Sequence, residues 1–337
     1  MRHPPVALTL SRWSFARTLV LLCAWLALAC ESHSTAEVAK PGVIRLDYAT
    51  YNPVSLLLKE KGYLESALAP EGIGVEWIKS VGSNKALELL NSSSADFAST
   101  AGAAALIARA NNSPIRAVYV YSKPEWTAVV TRADSDIDEL KDLRGKKVAA
   151  TRGTDPFVFL LRALDSVGLS EADIELVPLQ HSDGKLALER GDVQAWAGLD
   201  PLMATAEIEN GARLLFRNAD WNTYGVLDVR EEFAQRYPSY VTRVLEAYER
   251  AHAEALAHPA ELAVALAREA NLSEAVAKRV LERTDLRSTA LGDAQATAIS
   301  AAGAVLRKSG VIPAGTDVGA VTAQLLDHQY RDRIKAP

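Results

Sequence analysis

One recurring joint constrains this chain more than any other feature: a short apolar run, a turn of small polar residues, then the start of a helix. Its clearest copy is Val148-Ala149-Ala150-Thr151-Arg152-Gly153-Thr154-Asp155-Pro156. Val148 to Ala150 reads as the end of a buried strand, and Gly153, Thr154 and Asp155 as turn and cap residues. Pro156 suits a first helical turn, which Phe157 to Leu164 continue with apolar residues at helical spacing. Three earlier joints share the design: Thr50-Tyr51-Asn52-Pro53, Gly82-Ser83-Asn84 and Thr100-Ala101-Gly102.

Strands are expected at 43–48, 74–78, 96–99, 115–121 and 126–131, with helices between the first four. The pattern then restarts. A short helix at 138–145 precedes strands at 147–150, 174–178, 193–197 and 213–217, and helices at 157–167, 183–190 and 201–209 lie between them. Such alternation indicates an α/β chain with largely parallel sheets. Helix, turn and strand at 86–99 resemble those at 186–195, which suggests two lobes of similar build. Residues 225–229 read as a strand returning to the first lobe. From Glu231 on, the chain is mostly helical and amphipathic, with Ser239, Ser273 and Asp317 as caps. The fold class is thus α/β, with two lobes of mixed, mainly parallel sheet flanked by helices and C-terminal helices packed on lobe 1. Residues 42–125 and 225–337 form lobe 1, and 126–224 form lobe 2.

In a parallel sheet, strand-to-helix joints sit at the carboxyl edge, where crevices lie. Facing lobes would bring all four joints to one cleft. There the partial positive charge and unpaired N–H groups of helix starts suit a small anion, and Arg152 adds a full charge. The candidate ligand-binding residues are Tyr51, Asn52, Gly82, Ser83, Asn84, Thr100, Ala101, Gly102, Trp126, Arg152, Gly153, Thr154, Asp155, Asp200 and Asn222. Tyr51, Trp126, Trp221 and Tyr224 either wall an apolar tail or serve as core and hinge. Asp200 caps the next helix, or pairs with Arg152 or a ligand amine; the cap is favoured. Asp155 would repel an anion unless paired or turned away.

The formal net charge of −5 and pI of about 5.8 argue against a nucleic-acid partner. His181 is the one histidine near the candidate cleft. No G-x-S-x-G, H-E-x-x-H, P-loop or G-x-G-x-x-G motif is present, so neither an enzyme nor a cofactor is expected. At the amino end, Arg2, Arg12 and Arg17 precede the uncharged run 18–29, which has the length of a signal-peptide core. Leu26-Ala27-Leu28-Ala29-Cys30 is similar to a bacterial lipoprotein signal. Residues 1–29 are then a leader, Cys30 the lipidated residue and 30–41 a tether; ordinary cleavage after Ala29 is the alternative. Both put the mature chain in the periplasm or on the envelope face of the membrane. With Cys23 removed, only Cys30 remains, so no internal disulfide and no cysteine metal site is expected.

The segments 86–90, 96–100, 138–147 (DELKDLRGKK), 148–156 (VAATRGTDP), and Gly191-Asp192-Val193-Gln194-Ala195-Trp196 through Asp200-Pro201 together resemble the aliphatic-sulfonate and taurine family of ABC-transporter solute-binding proteins. The resemblance runs from about Val43 to Gly315. It implies a two-lobed periplasmic-binding fold that closes on a sulfonate and delivers it, as a monomer, to an inner-membrane permease and its ATPase. Residues 49–54 and 152–156 depart from the usual family sequence, which bears on ligand identity. Nitrate or a thiamine precursor is the alternative ligand; an enzyme or sensor on the same fold is the alternative function.

Overall fold

The computed structural model describes Met1, His3 and residues 39–333; the rest of the leader, Cys30 and most of the tether lie outside the described residues. The chain opens with β1 (Val43–Tyr48), α1 (Pro53–Lys61), α2 (Tyr63–Leu68), β2 (Gly74–Lys79), α3 (Ser83–Asn91), β3 (Phe97–Ala101), α4 (Gly102–Ala110) and β4 (Ile115–Pro124). It continues through β5 (Thr127–Thr131), β6 (Lys147–Ala150), α5 (Asp155–Ser166), β7 (Glu175–Pro178), α6 (His181–Arg190), β8 (Ala195–Leu199), α7 (Leu202–Asn210) and β9 (Arg213–Phe216). It ends with β10 (Gly225–Arg230), α8 (Glu231–Arg236), α9 (Pro238–Ala257), α10 (Pro259–Ala270), α11 (Glu274–Glu282), β11 (Thr284–Asp285), α12 (Asp293–Lys308) and α13 (Val318–Leu325).

Two sheets result. The first has the order β11-β4-β10-β3-β1-β2 and the second β7-β6-β8-β5-β9. β1 is parallel to β2 and β3, and β6 to β7 and β8, so the joints that follow them share a sheet edge. β10 runs antiparallel between β3 and β4, and β5 antiparallel to β8 and β9. The chain passes from the first sheet to the second at 124–127 and back at 216–225.

Strand periodicity sorts the second sheet's side chains. Val148, Ala150, Ala195 and Ala197 pack with Phe157, Leu160 and Leu164 of α5, while Ala149 and Trp196 face Leu188 and Met203 on the other side. The first sheet's core joins Leu46, Phe97, Tyr119, Val226 and Leu227 to α9 through Val244 and Tyr248.

Several local readings need correction. Residues 138–145 hold only a 3₁₀ turn, Leu140–Leu143. Ser273 and Asp317 do cap their helices, accepting from Val276 and Ala320 N–H, but Ser239 does not; α9 starts at Pro238, whose missing N–H suits that place. The C-terminal helices also reach beyond the first sheet's layer. α11 packs on α7, and α12 packs on both α4 and α5, so that Val305 joins the second sheet's core. Amphipathic spacing reveals an apolar stripe and not its partner. Among the described residues no helix is long and apolar enough to cross a membrane.

Candidate functional site

The first joint is tied into the sheet beneath it. Asn52 accepts the Ser55 N–H at the head of α1 and donates to Ser99 Oγ at 2.8 Å. The Tyr51 hydroxyl donates to the Ser99 carbonyl at 3.0 Å and lies 2.8 Å from Ser80 Oγ. Under both sits Asp47, fully buried, which accepts from Ser80 Oγ (2.6 Å), Ser99 N (2.8 Å) and Ser99 Oγ (2.8 Å). Burial pushes its carboxyl up to about 6, although these hydrogen bonds oppose the shift.

The second and third joints are stitched together by Ser83 Oγ, which accepts the Ala101 N–H at 3.0 Å. Thr100 donates to Asp228 on β10 at 2.6 Å. The head of α4 is not open as the sequence reading expected. Gly102 N–H points at the Thr223 and Tyr224 carbonyls (3.2 and 3.1 Å), and Ala103 N–H donates to Thr223 Oγ1 at 2.8 Å. A Cβ on residue 102 would stand 2.4 Å from the Thr223 carbonyl oxygen, which is why glycine occupies it. The returning crossover therefore plugs this helix start.

At the fourth joint, Thr154 Oγ1 donates back to the Thr151 carbonyl at 2.6 Å, and Gly153 takes a positive φ of 74°. Asp155 is buried and hydrogen-bonded. It accepts from Trp126 Nε1 (2.9 Å), Thr223 N (3.1 Å) and Thr223 Oγ1 (2.6 Å). Burial raises its pKa against those bonds. Arg152 does not supply the expected cation. Its guanidinium pairs with Glu171, stacks 5.0 Å over Phe157 and is half exposed. It lines an outer groove of about 660 Å³ with Ile107, Ser170 and Lys308.

The two halves touch along a seam. Asn84 Nδ2 donates to Gln180 Oε1 at 3.4 Å, and Cβ atoms on Gly82 and Gly153 would reach His181 (3.1 Å) and Asn84 (3.8 Å). Trp126 stands edge-on to Tyr51, ring centres 6.1 Å apart, and 6.4 Å from Tyr121. Short contacts thus link Ser83 to Ala101, Asn84 to Gly153, and Tyr51 through Trp126 to Asp155.

The remaining candidates lie elsewhere. Asp200 accepts the Ala204 N–H at 2.9 Å, and its cation is Arg283, Nε 3.3 Å from Oδ2, not Arg152. Asn222 Nδ2 donates to the Asn218 and Ala219 carbonyls (3.0 and 3.4 Å). Trp221 packs with Phe159, Phe216 and Arg162 against the second core, and Tyr224 lies in the first. Sequence reasoning missed Asp47, Thr223 and Asp228. A signal existed for two of them: an aspartate interrupts each of the apolar strands VIRLDY and GVLDVR. Among the described residues no group of three or more His, Cys, Asp or Glu could hold a metal ion.

Two sheets joined by paired crossovers, with strand-to-helix joints along the edges where they meet, define the periplasmic-binding-protein fold. The chain belongs to the NMT1/THI5-like family, whose model matches residues 55–262. It is 29% identical over 228 residues to an Escherichia coli (strain K12) protein with the provisional name aliphatic sulfonates-binding protein, covering 67% of this chain and 71% of that one. A Bacillus subtilis (strain 168) protein of the same provisional name is 28% identical over 241 residues, 71% and 73% of the two chains. In fold, the chain is similar to the alkanesulfonate-binding protein SsuA of Xanthomonas axonopodis pv. citri bound to MOPS. The TM-score is 0.78 at 24% identity, over 86% of this chain and 99% of that one.

Proposed function

We propose that this chain is the solute-binding lipoprotein of an ABC importer, capturing an aliphatic sulfonate at the seam and handing it to a membrane permease. The observation that carries the reading is the meeting of helix-leading segments from both sheets: Gly82 to Asn84 at the head of α3 against Gly153 to Asp155 at the head of α5. The leading N–H groups of a helix have no partner within it, and they favour an anion. A sulfonate offers three acceptor oxygens to such donors. Hydrogen bonds to a charged group contribute about 1.5–3 kcal/mol each, so a handful suffices for micromolar capture. The names of the curated relatives support the same ligand class.

In this reading residues 42–125 with 225–337 form one lobe and 126–224 the other, and the two crossovers hinge them. Tyr51 and Trp126 wall the ligand's carbon chain. Cys30 anchors the protein outside the cytoplasm, and it works as a monomer with permease and ATPase. The test is a thermal-shift and calorimetric screen of alkanesulfonates, taurine, nitrate, sulfate and hydroxymethylpyrimidine. Saturable stabilisation by sulfonates, with ligand recovered unchanged by mass spectrometry, is expected. Stabilisation by nitrate or the pyrimidine alone would replace the ligand class, and altered ligand would indicate an enzyme.

A further inference from the structure

His181 opens α6 with its ring at the seam, 2% exposed. Thr151 fixes its protonation pattern. The Thr151 hydroxyl has one hydrogen and gives it to the Leu179 carbonyl at 2.7 Å. Toward His181 Nδ1, 3.2 Å away, that oxygen can therefore only accept. Nδ1 carries the hydrogen, and Nε2 is left as a bare acceptor, buried and without a partner. Burial alone presses the imidazole down to about 3, so it is neutral.

The charged groups on the elements around it are engaged elsewhere or exposed. On its own helix Asp183 is exposed and Lys185 pairs with Glu189; Arg152 of the facing joint pairs with Glu171, and Lys85 of α3 with Glu88.

Across the seam is a second acceptor in the same condition. Asn84 gives its Nδ2 to Gln180, so Oδ1 faces the other way, buried with no donor. The two acceptors converge over Gly82: a Cβ there would lie 2.9 Å from Asn84 Oδ1 and 3.1 Å from His181 Nε2. They are thus no more than about 6 Å apart, near enough for one group with several N–H bonds to reach both. Buried acceptors left unpaired cost free energy, and what this place lacks is a donor, not another anion.

We propose that Asn84 Oδ1 and His181 Nε2 form a subsite for a ligand ammonium group, so that the preferred solute is an aminoalkanesulfonate. This rests on the sulfonate reading above and narrows it. An ammonium supplies the two hydrogens that a hydroxyl cannot. A zwitterion also brings no net charge into a seam where Arg152 has turned away.

The experiment is titration calorimetry of the full chain with taurine, isethionate and ethanesulfonate, for the parent, His181→Leu and Asn84→Ala, with melting curves as folding controls. The parent should bind taurine about tenfold or more tighter than ethanesulfonate. At least one folded variant should cut that ratio to about threefold or less. Equal affinity of the parent for taurine and ethanesulfonate, or a ratio unchanged in both folded variants, overturns the subsite and leaves the sulfonate reading standing. Failure of all three sulfonates to bind overturns both.

Discussion

Asp155 and Thr223 lock the crossover to the second sheet's leading helix: Thr223 donates to the Asp155 carboxylate from both its N–H (3.1 Å) and its hydroxyl (2.6 Å). The same hydroxyl oxygen accepts the Ala103 N–H, so one side chain ties α4, the crossover and α5. Trp126, on the other crossover, completes the set by donating to Asp155 at 2.9 Å. Replacing Asp155 by Ala strands three buried donors at the hinge. Asp155→Ala should lose about 3 kcal/mol of stability in urea unfolding, whereas an exposed carboxylate such as Asp134 should show almost no change on truncation. Equal midpoints for Asp155→Ala and the parent would deny the lock.

Arg152 yields the opposite expectation from the one its position in the sequence suggests. It stands in the joint, but its side chain is 51% exposed and its guanidinium is paired with Glu171. An exposed pair contributes about 0–1 kcal/mol. Arg152→Ala should therefore leave the melting temperature almost unchanged and keep the affinity for the best sulfonate within about threefold of the parent by calorimetry. A loss of affinity beyond about tenfold would return Arg152 to the site.

The joints were legible because each needs residues of unusual backbone habit at fixed places: Asn52 as a cap before Pro53, Gly153 at positive φ, Pro156 in a first turn. The alternation around them was legible because a buried strand and an amphipathic helix leave different periods. What each joint does with its polar atoms was not. Whether an N–H is free depends on what arrives from elsewhere in the chain, and Thr223, which fills the head of α4, comes from the far side of a crossover. Partner choice is equally non-local. The apolar stripe of α12 is plain in the sequence, but its packing on α4 and α5 together depends on both sheets being in place.

Asp228 gives a stability signature that pH can read. It is fully buried; Thr100 donates to one oxygen, and the other has no partner. Burial, reinforced by nearby Asp47, lifts its carboxyl to about 7. A folded-state pKa above the unfolded one means that the native protein holds more protons between about pH 4 and 7. This contribution is complete below the unfolded value and is lost as the pH rises through 7. Asp228→Asn removes the buried charge and keeps an acceptor for Thr100. The variant should be more stable than the parent at about pH 8, and the difference should shrink steadily toward about pH 5. Urea midpoints across that range decide it; a constant difference would mean that Asp228 does not titrate in the window.

Arg283 and Asp200 make the corresponding case for a buried pair, here between the C-terminal segment and the second sheet. Their side chains are 6% and 3% exposed, and Arg283 also meets Glu207 of α7 at 3.1 Å. The neighbouring backbone carries the same tie, since the Arg283 carbonyl accepts the Glu125 N–H at 2.7 Å beside the first crossover. Desolvation holds Asp200 near 7, and Arg283 is the group that pulls it down. Arg283→Met strips the cation and leaves a buried carboxylate beside Glu207, which should cost about 3–5 kcal/mol above pH 7. Because Asp200 then titrates higher still, part of that loss should return as the pH falls toward 5. The double variant Arg283→Met with Asp200→Asn buries no unpaired aspartate, so it should recover most of the stability at every pH. If the double variant is no more stable than the single one, the loss comes from the missing guanidinium contacts and not from the stranded charge.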